Sequence, residues 1–234
     1  MAERMLGPEY AEIERCIPAD HARNSSADAM LRIAASRLDQ GKPAVLDLGC
    51  GDGRAVDQIA AALPSASYDG VDIETSPEVN SRTRDDARFH TFDGIQLPFG
   101  DGTFDIVFTQ QVMEHVRHPD ALIAEVQRVL KPGGFFVGSA SGLEPYHSWS
   151  IFNLTHYGLF RVIEDNGLTL EQMRPGIDGM AMLFRQLSMR KIGGFSLAYW
   201  SLALLARFRG MDARQRNYLK LRFAGHLCFL ARKP

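Results

Sequence analysis

Short unbroken apolar runs alternate along this chain with stretches whose apolar positions recur at helical spacing. AVLDLG (44–49), YDGVDI (68–73), RFHTFD (88–93), FDIVFTQ (104–110) and FFVGSA (135–140) read as five strands. Before the first, Met30, Ile33, Ala34 and Leu38 fall on one face. Ser25, Ser26 and Asp28 supply capping chemistry there, so a helix is predicted over 25–40, stopped by Gly41. A second helix is predicted from Arg54 to Leu63, closed by Pro64. A third runs through ALIAEVQRVL, capped by Asp120 and ended by Lys131-Pro-Gly-Gly. After the fifth strand the spacing predicts a helix over 150–166, a strand over 168–176, a long helical stretch, and a last strand over 225–234.

Strands alternating with helices at this spacing predict a parallel sheet covered on both faces, with right-handed crossovers. The length of 234 residues fits one domain. With 45% hydrophobic residues and a net charge of −2, dominant disorder is excluded. Cys16, Cys50 and Cys228 are odd in number and form no CxxC pair. That spacing fits a reducing compartment and argues against a disulfide framework or a thiolate zinc site. The opening MAERMLGPEYAEIERC has no apolar core of a signal peptide. The longest uncharged apolar stretch, Phe195 to Ala206, is shorter than the ~20 residues of a membrane span. A soluble, cytoplasmic protein is expected.

The strongest chemical signal is VLDLGCGDGR (45–54), a buried strand running into a glycine-rich turn. Glycines allow a tight turn and close approach of backbone to a ligand, and the following helix aims its N-terminus there. The spacing is GxGxG, with Arg54 where a dinucleotide fingerprint has its third glycine. Such a turn alone is also compatible with a purely structural role. Asp72 ends the second strand, 19 residues after Gly53, where a carboxylate reaches a ribose diol. Asp93 ends the third strand, where a carboxylate can accept from an exocyclic amine, and Gly94 beside it leaves a backbone N–H accessible. Each Asp alone fits a helix cap or a loop charge. Acids at three successive strand ends point to the carboxyl edge of the sheet, where open α/β folds bind ligands.

Together, VLDLGCGDGR, GVDIE, DGIQLPFGDGTFDIVFTQQVMEHV (93–116) and LKPGGFFVGSAS (130–141) resemble the successive motifs of class I S-adenosylmethionine-dependent methyltransferases, and most of all the small-molecule, type 11 branch. The resemblance covers residues 42–142. It implies an α/β, doubly wound, mostly parallel seven-stranded Rossmann-like sheet with a reversed last strand, which GHLCFLARKP suits. On that layout 1–41 is an N-terminal helical segment, 42–142 the cofactor-binding core and 143–176 the acceptor side. Residues 177–224 form a basic helical insert or lid, and 225–234 the final strand. The resemblance also implies roles. Asp47 and the loop Gly49, Cys50, Gly51 and Gly53 would hold the methionine moiety of S-adenosyl-L-methionine. Asp72 would take the ribose hydroxyls, and Ile73 would pack on adenine. Asp93 and Gly94 would take the adenine edge. Gln110 and Gln111 would line the site near the methyl group, where the family more often has small residues.

Transfer to an alcohol also needs a base near pKa 7. His147, in EPYHSW just after the fifth strand, is the first candidate and His115, in VMEHV, the second; His156 follows. Each also fits a packed or solvated histidine. His115 and His118 are spaced i, i+3, but no carboxylate pattern accompanies them, so no metal is assigned.

Residues 185–222 carry nine basic residues against the single acid Asp212, a net +8 that leaves −10 on the rest. Inside lies FSLAYWSLALLA. One use is a lid or homodimer face, with Phe195, Leu197, Trp200, Leu204 and Phe208 packed on the sheet domain. The other is peripheral contact with anionic lipid. Leu and Phe outnumber any stacking array, so nucleic acid is not expected. The function read from the sequence is methylation of a small-molecule acceptor, at a hydroxyl of a sugar or other metabolite. The alternatives are a lipid or lipid-linked acceptor at a membrane surface, or a nicotinamide-dependent dehydrogenase.

Overall fold

A computed structural model describes residues 6–39, 41–144, 147–189 and 197–234, the side chains of 197 and 198 excepted. Seven strands form one sheet: β1 (Ala44–Leu48), β2 (Ser67–Ile73), β3 (Arg88–Phe92), β4 (Phe104–Gln110), β5 (Leu130–Ser141), β6 (Thr169–Pro175) and β7 (His226–Arg232). Their order is β3-β2-β1-β4-β5-β7-β6. The first five pair in parallel, and β7 runs antiparallel between β5 and β6. The reversed last strand is where the family resemblance puts it. The order turns back beside β1 and β4, and at such a switch point the carboxyl ends of strands leave a crevice.

Period-2 alternation sorts the side chains to two cores. Val45, Ile106, Phe108, Phe135 and Val137 face α1 (Ala27–Ala35) and α2 (Ala55–Ala62). Leu46, Leu48, Val107 and Phe136 join the opposite core, which α3 (Pro119–Val129) and α4 (His156–Asp165) cover. α1 starts where Ser26 accepts from the Ala29 N–H at 3.2 Å, and Asp28 pairs with Arg32 one turn on. It ends at Ala35, ahead of Gly41. α3 begins with Pro119 at its first position, a place proline favours, so Asp120 sits inside the first turn instead of capping it. β5 follows α3 directly, because the Lys131-Pro-Gly-Gly bend is absorbed as a register shift against β4. The helix predicted from residue 150 starts at His156, capped by Thr155.

Between β6 and β7 lie α5 (Gly179–Leu187), α6 (Leu197–Phe208) and α7 (Ala213–Leu221). They leave and re-enter the sheet at its carboxyl edge: Leu143 donates to the Ala224 carbonyl at 2.7 Å, and Asp178 bridges Ala224. The predicted packing face of α6 is inverted. Tyr199 and Ala206 are buried and Leu202 packs on the core, whereas Trp200, Leu204 and Phe208 are exposed. Phe195 and the Leu197 side chain, like Arg190 and Lys191, lie outside the described residues. The two stripes have the same helical spacing, and burial of the Tyr199 stripe leaves the other facing outward.

Candidate active site

β1 delivers Gly49 at φ +74°, its N–H bonded to the Val71 carbonyl at 2.8 Å. A Cβ there would lie 2.2 Å from Val112 Cγ2, so this position requires glycine in both conformation and space. Cys50 is buried behind it, its thiol pushed up to about 12 by burial and the nearby Asp47. Arg82 clasps the loop: Nε donates to the Gly51 carbonyl at 2.8 Å, and the guanidinium lies over the Phe89 ring. Gly53 closes the turn at the start of α2.

Two acids flank this loop. Asp47 is buried and accepts from the Tyr68 hydroxyl at 2.7 Å. Burial outweighs that bond and pushes its carboxyl up to about 7. Asp72 accepts from the Gly51 N–H at 2.7 Å and from its own Ile73 N–H at 2.8 Å. Burial raises its pKa as well, against those two bonds. Two acids whose ionisation is disfavoured call for a cation or hydroxyl donors from a ligand. Beside them Ile73 is 42% exposed, and a Cβ on Gly94 would meet only Ile73 Cγ2, at 3.8 Å. That is a flat apolar floor suited to a planar ring. Asp93, at its rim, is held below the usual carboxylate range because Oδ1 accepts from the Ile95 and Gln96 N–H groups. This donor set fits S-adenosylmethionine: an anionic place for the aminoacyl cation, a carboxylate for the diol and a floor for adenine.

The two glutamines at the end of β4 separate. Gln110 is exposed at the strand end. Gln111 adopts φ +57°, rare for a residue with a side chain, and turns inward. Its Nε2 donates to Ser139 Oγ at 3.0 Å, and its Oε1 accepts from Ser141 Oγ at 2.9 Å. Since Val112 packs on Gly49, this turn stands against the glycine loop.

On the far side of Gln111 lies a cluster only partly legible in the sequence. Glu114 has a side chain 0% exposed, with Oε1 3.1 Å from His147 Nδ1 and 2.7 Å from Ser141 Oγ. Glu144 Oε2 is 3.4 Å from the same Nδ1 and 2.6 Å from the same Oγ. One hydroxyl proton cannot serve every acceptor around Ser141, so the second proton between the carboxylates belongs to His147. Its imidazole is raised to about 10 by the hydrogen bonds to Glu114 and then Glu144. The expected base near 7 is thus imidazolium at neutral pH. Burial would raise Glu114, but the bonds from His147 and Ser141 outweigh it and hold the carboxyl low. His115 packs edge-on to His147 at 4.7 Å between ring centroids, and His226 Nε2 is 3.6 Å from Glu144. His156 is elsewhere, against Tyr218.

Glu114, His115 and His147 also bring one ligand atom each within 4.8 Å of one another. The carboxylate and second histidine that accompany His115 are therefore Glu114 and His147, not His118. In the protonated state, the His147 proton supplies the positive charge between the carboxylates. Glu114, Ser141, Glu144, Arg82 and Tyr68 escaped the sequence reading. Only Glu114 carried a visible signal: an acid between Met113 and Val116, both buried, and next to His115.

Comparisons with known proteins bear on the family and the fold. The family model described as a methyltransferase domain, type 11, matches residues 46–138. A phthiotriol/phenolphthiotriol dimycocerosates methyltransferase of Mycobacterium tuberculosis is 33% identical over 105 residues, 44% of this chain and 39% of that protein. A fatty-acid O-methyltransferase of Mycolicibacterium smegmatis is 32% identical over 106 residues, again 44% and 39%. The chain spans about two fifths of the length of these curated relatives. In fold it is similar to the 4+2 cyclase SpnF, with TM-score 0.59 and 21% identity over 94% of this chain and 86% of that one. The nicotinamide-dependent dehydrogenase alternative gains no support from these matches. Glycine loop, strand-end acids and reversed β7 thus accompany a type 11 methyltransferase domain match over residues 46–138, about two fifths of the chain, on a Rossmann-like methyltransferase fold.

Proposed function

We propose that this protein methylates the hydroxyl of a small-molecule acceptor, using S-adenosylmethionine, with His147 as the base and Glu114 and Glu144 as its positioning residues. The observation that carries the reading is the imidazole held at Nδ1 by two carboxylates beside the turn that packs on the glycine loop. When bound, S-adenosylmethionine supplies a sulfonium methyl, an activated donor for in-line displacement. The chain's work is then to place, to dry and to deprotonate the acceptor. Asp47, Asp72 and the Gly49–Gly53 loop hold the donor, with Asp93 and Gly94 at the adenine edge. Gln111 and Ser141 fix the wall toward the acceptor. His147 keeps its Nδ1 proton between the carboxylates and takes the acceptor proton at Nε2. Because its conjugate acid lies at about 10, the base form is scarce at neutral pH and strong when it forms.

The relatives named for fatty-acid and phthiotriol dimycocerosate acceptors favour an amphipathic hydroxyl over the sugar considered from the sequence. One fold neighbour is named a cyclase, so fold alone does not decide the reaction. The test is an acceptor screen with methyl-labelled donor, comparing wild type with His147→Ala. The proposal requires label on an acceptor oxygen, a turnover loss of roughly 10²–10⁴ in the variant, and unchanged donor affinity. Full turnover in the variant would remove His147 from the chemistry.

A further inference from the structure

Helices α5 and α6 pack against each other, and each turns an apolar stripe outward. On α5 the stripe is Met180, Phe184 and Leu187; on α6 it is Trp200, Leu204 and Phe208. Leu187, Trp200 and Phe208 are 73%, 62% and 81% exposed. Both stripes follow helical spacing, so they form continuous faces and not scattered surface residues. Arg185 and Arg207 are exposed beside them.

We infer that this two-helix face rests on an anionic lipid bilayer. An aromatic and aliphatic face with a cationic border is the composition of a helix lying in the membrane interface. The charge on the face is complementary to such a surface: neither α5 nor α6 carries an acid, and Arg185 and Arg207 are exposed on them. A second copy of the chain is the competing occupant. A two-fold dimer brings the same patch onto itself, which would oppose two such cationic faces. No described helix is long and apolar enough to cross a membrane, so the contact is peripheral. The face also sits where an amphipathic acceptor would arrive. The insert joins the sheet at the carboxyl edge, where a Cβ on Gly179 would lie 2.6 Å from the Leu143 carbonyl and Glu144 meets His226. That last point rests on the methyl-transfer reading; the docking itself does not.

The test is flotation of the full chain with vesicles of phosphatidylcholine alone and with about a third phosphatidylglycerol. The inference predicts partition onto the anionic vesicles, weakened by salt. Arg185→Gln with Arg207→Gln should lower it roughly thirtyfold, since each basic residue near the surface contributes about 1 kcal/mol. Trp200→Ser with Phe208→Ser should lower it on both vesicle types. Donor binding measured on the same variants should stay at wild-type level, which shows that they fold and keeps this test independent of the methyl-transfer proposal. Equal binding to neutral and anionic vesicles, or none to either, would overturn the inference. So would a stable dimer in ultracentrifugation that Trp200→Ser with Phe208→Ser dissociates.

Discussion

Removing one of the two carboxylates behind His147 should move its proton affinity by a readable amount. Glu114→Gln keeps the shape and one hydrogen-bond acceptor but deletes a buried charge 3.1 Å from Nδ1. A hydrogen bond to a charged group contributes about 1.5–3 kcal/mol, which is roughly one to two pH units. His147 titrates at about 10 against an ordinary 6.5, with Glu114 its largest partner and Glu144 next. In the variant it should titrate roughly one to two pH units lower, still above 6.5 because Glu144 remains. The sign for stability follows from linkage. The raised imidazole stabilises the fold fully below pH 6.5, and the contribution fades as pH rises through about 10. Histidine ring resonances followed by nuclear magnetic resonance, assigned with His147→Ala, report this without any acceptor. A wild-type His147 midpoint near 6.5, or one unmoved by Glu114→Gln, would refute the reasoning.

Donor affinity should also depend on pH through Asp47, whose carboxyl is pushed up to about 7 by burial. A cationic aminoacyl group needs it ionised, so affinity should strengthen as pH rises to 7 and fall up to roughly tenfold per pH unit below it; calorimetry at pH 6 and 8 checks this, and Asp47→Asn should flatten the dependence. Gly49→Ala forces a side chain at φ +74° into Val112 and should lower stability by more than about 1 kcal/mol, seen as a reduced thermal midpoint, while weakening donor binding.

The strands of the core were legible because a sheet covered on both faces needs unbroken apolar runs. The donor site was legible because its glycine loop and strand-end acids are local in sequence. The acceptor cluster was not. Glu114 follows β4, Ser141 ends β5, and Glu144 and His147 lie beyond it; β4–β5 pairing and the turn of Gln111 bring them together. His147 and His115 stand out by their positions after β5 and β4, whereas the two carboxylates that set the charge of His147 carry no local pattern that pairs them with it. The insert shows a different limit. Periodicity finds both the Tyr199 and the Trp200 stripes of α6, and only tertiary packing decides which one is buried.

Calorimetric titration with S-adenosylmethionine, set beside NAD and repeated on Asp72→Ala, decides whether the glycine loop and strand-end acids hold this donor. Asp72 holds the Gly51 N–H at 2.7 Å and offers the carboxylate for the ribose diol. S-adenosylmethionine should bind in the micromolar range, about −7 to −8 kcal/mol, and NAD should show no measurable affinity. In Asp72→Ala the loss should be about 1.5–3 kcal/mol, roughly ten- to a hundredfold. Tight NAD binding without S-adenosylmethionine binding, or full affinity in Asp72→Ala, would contradict it.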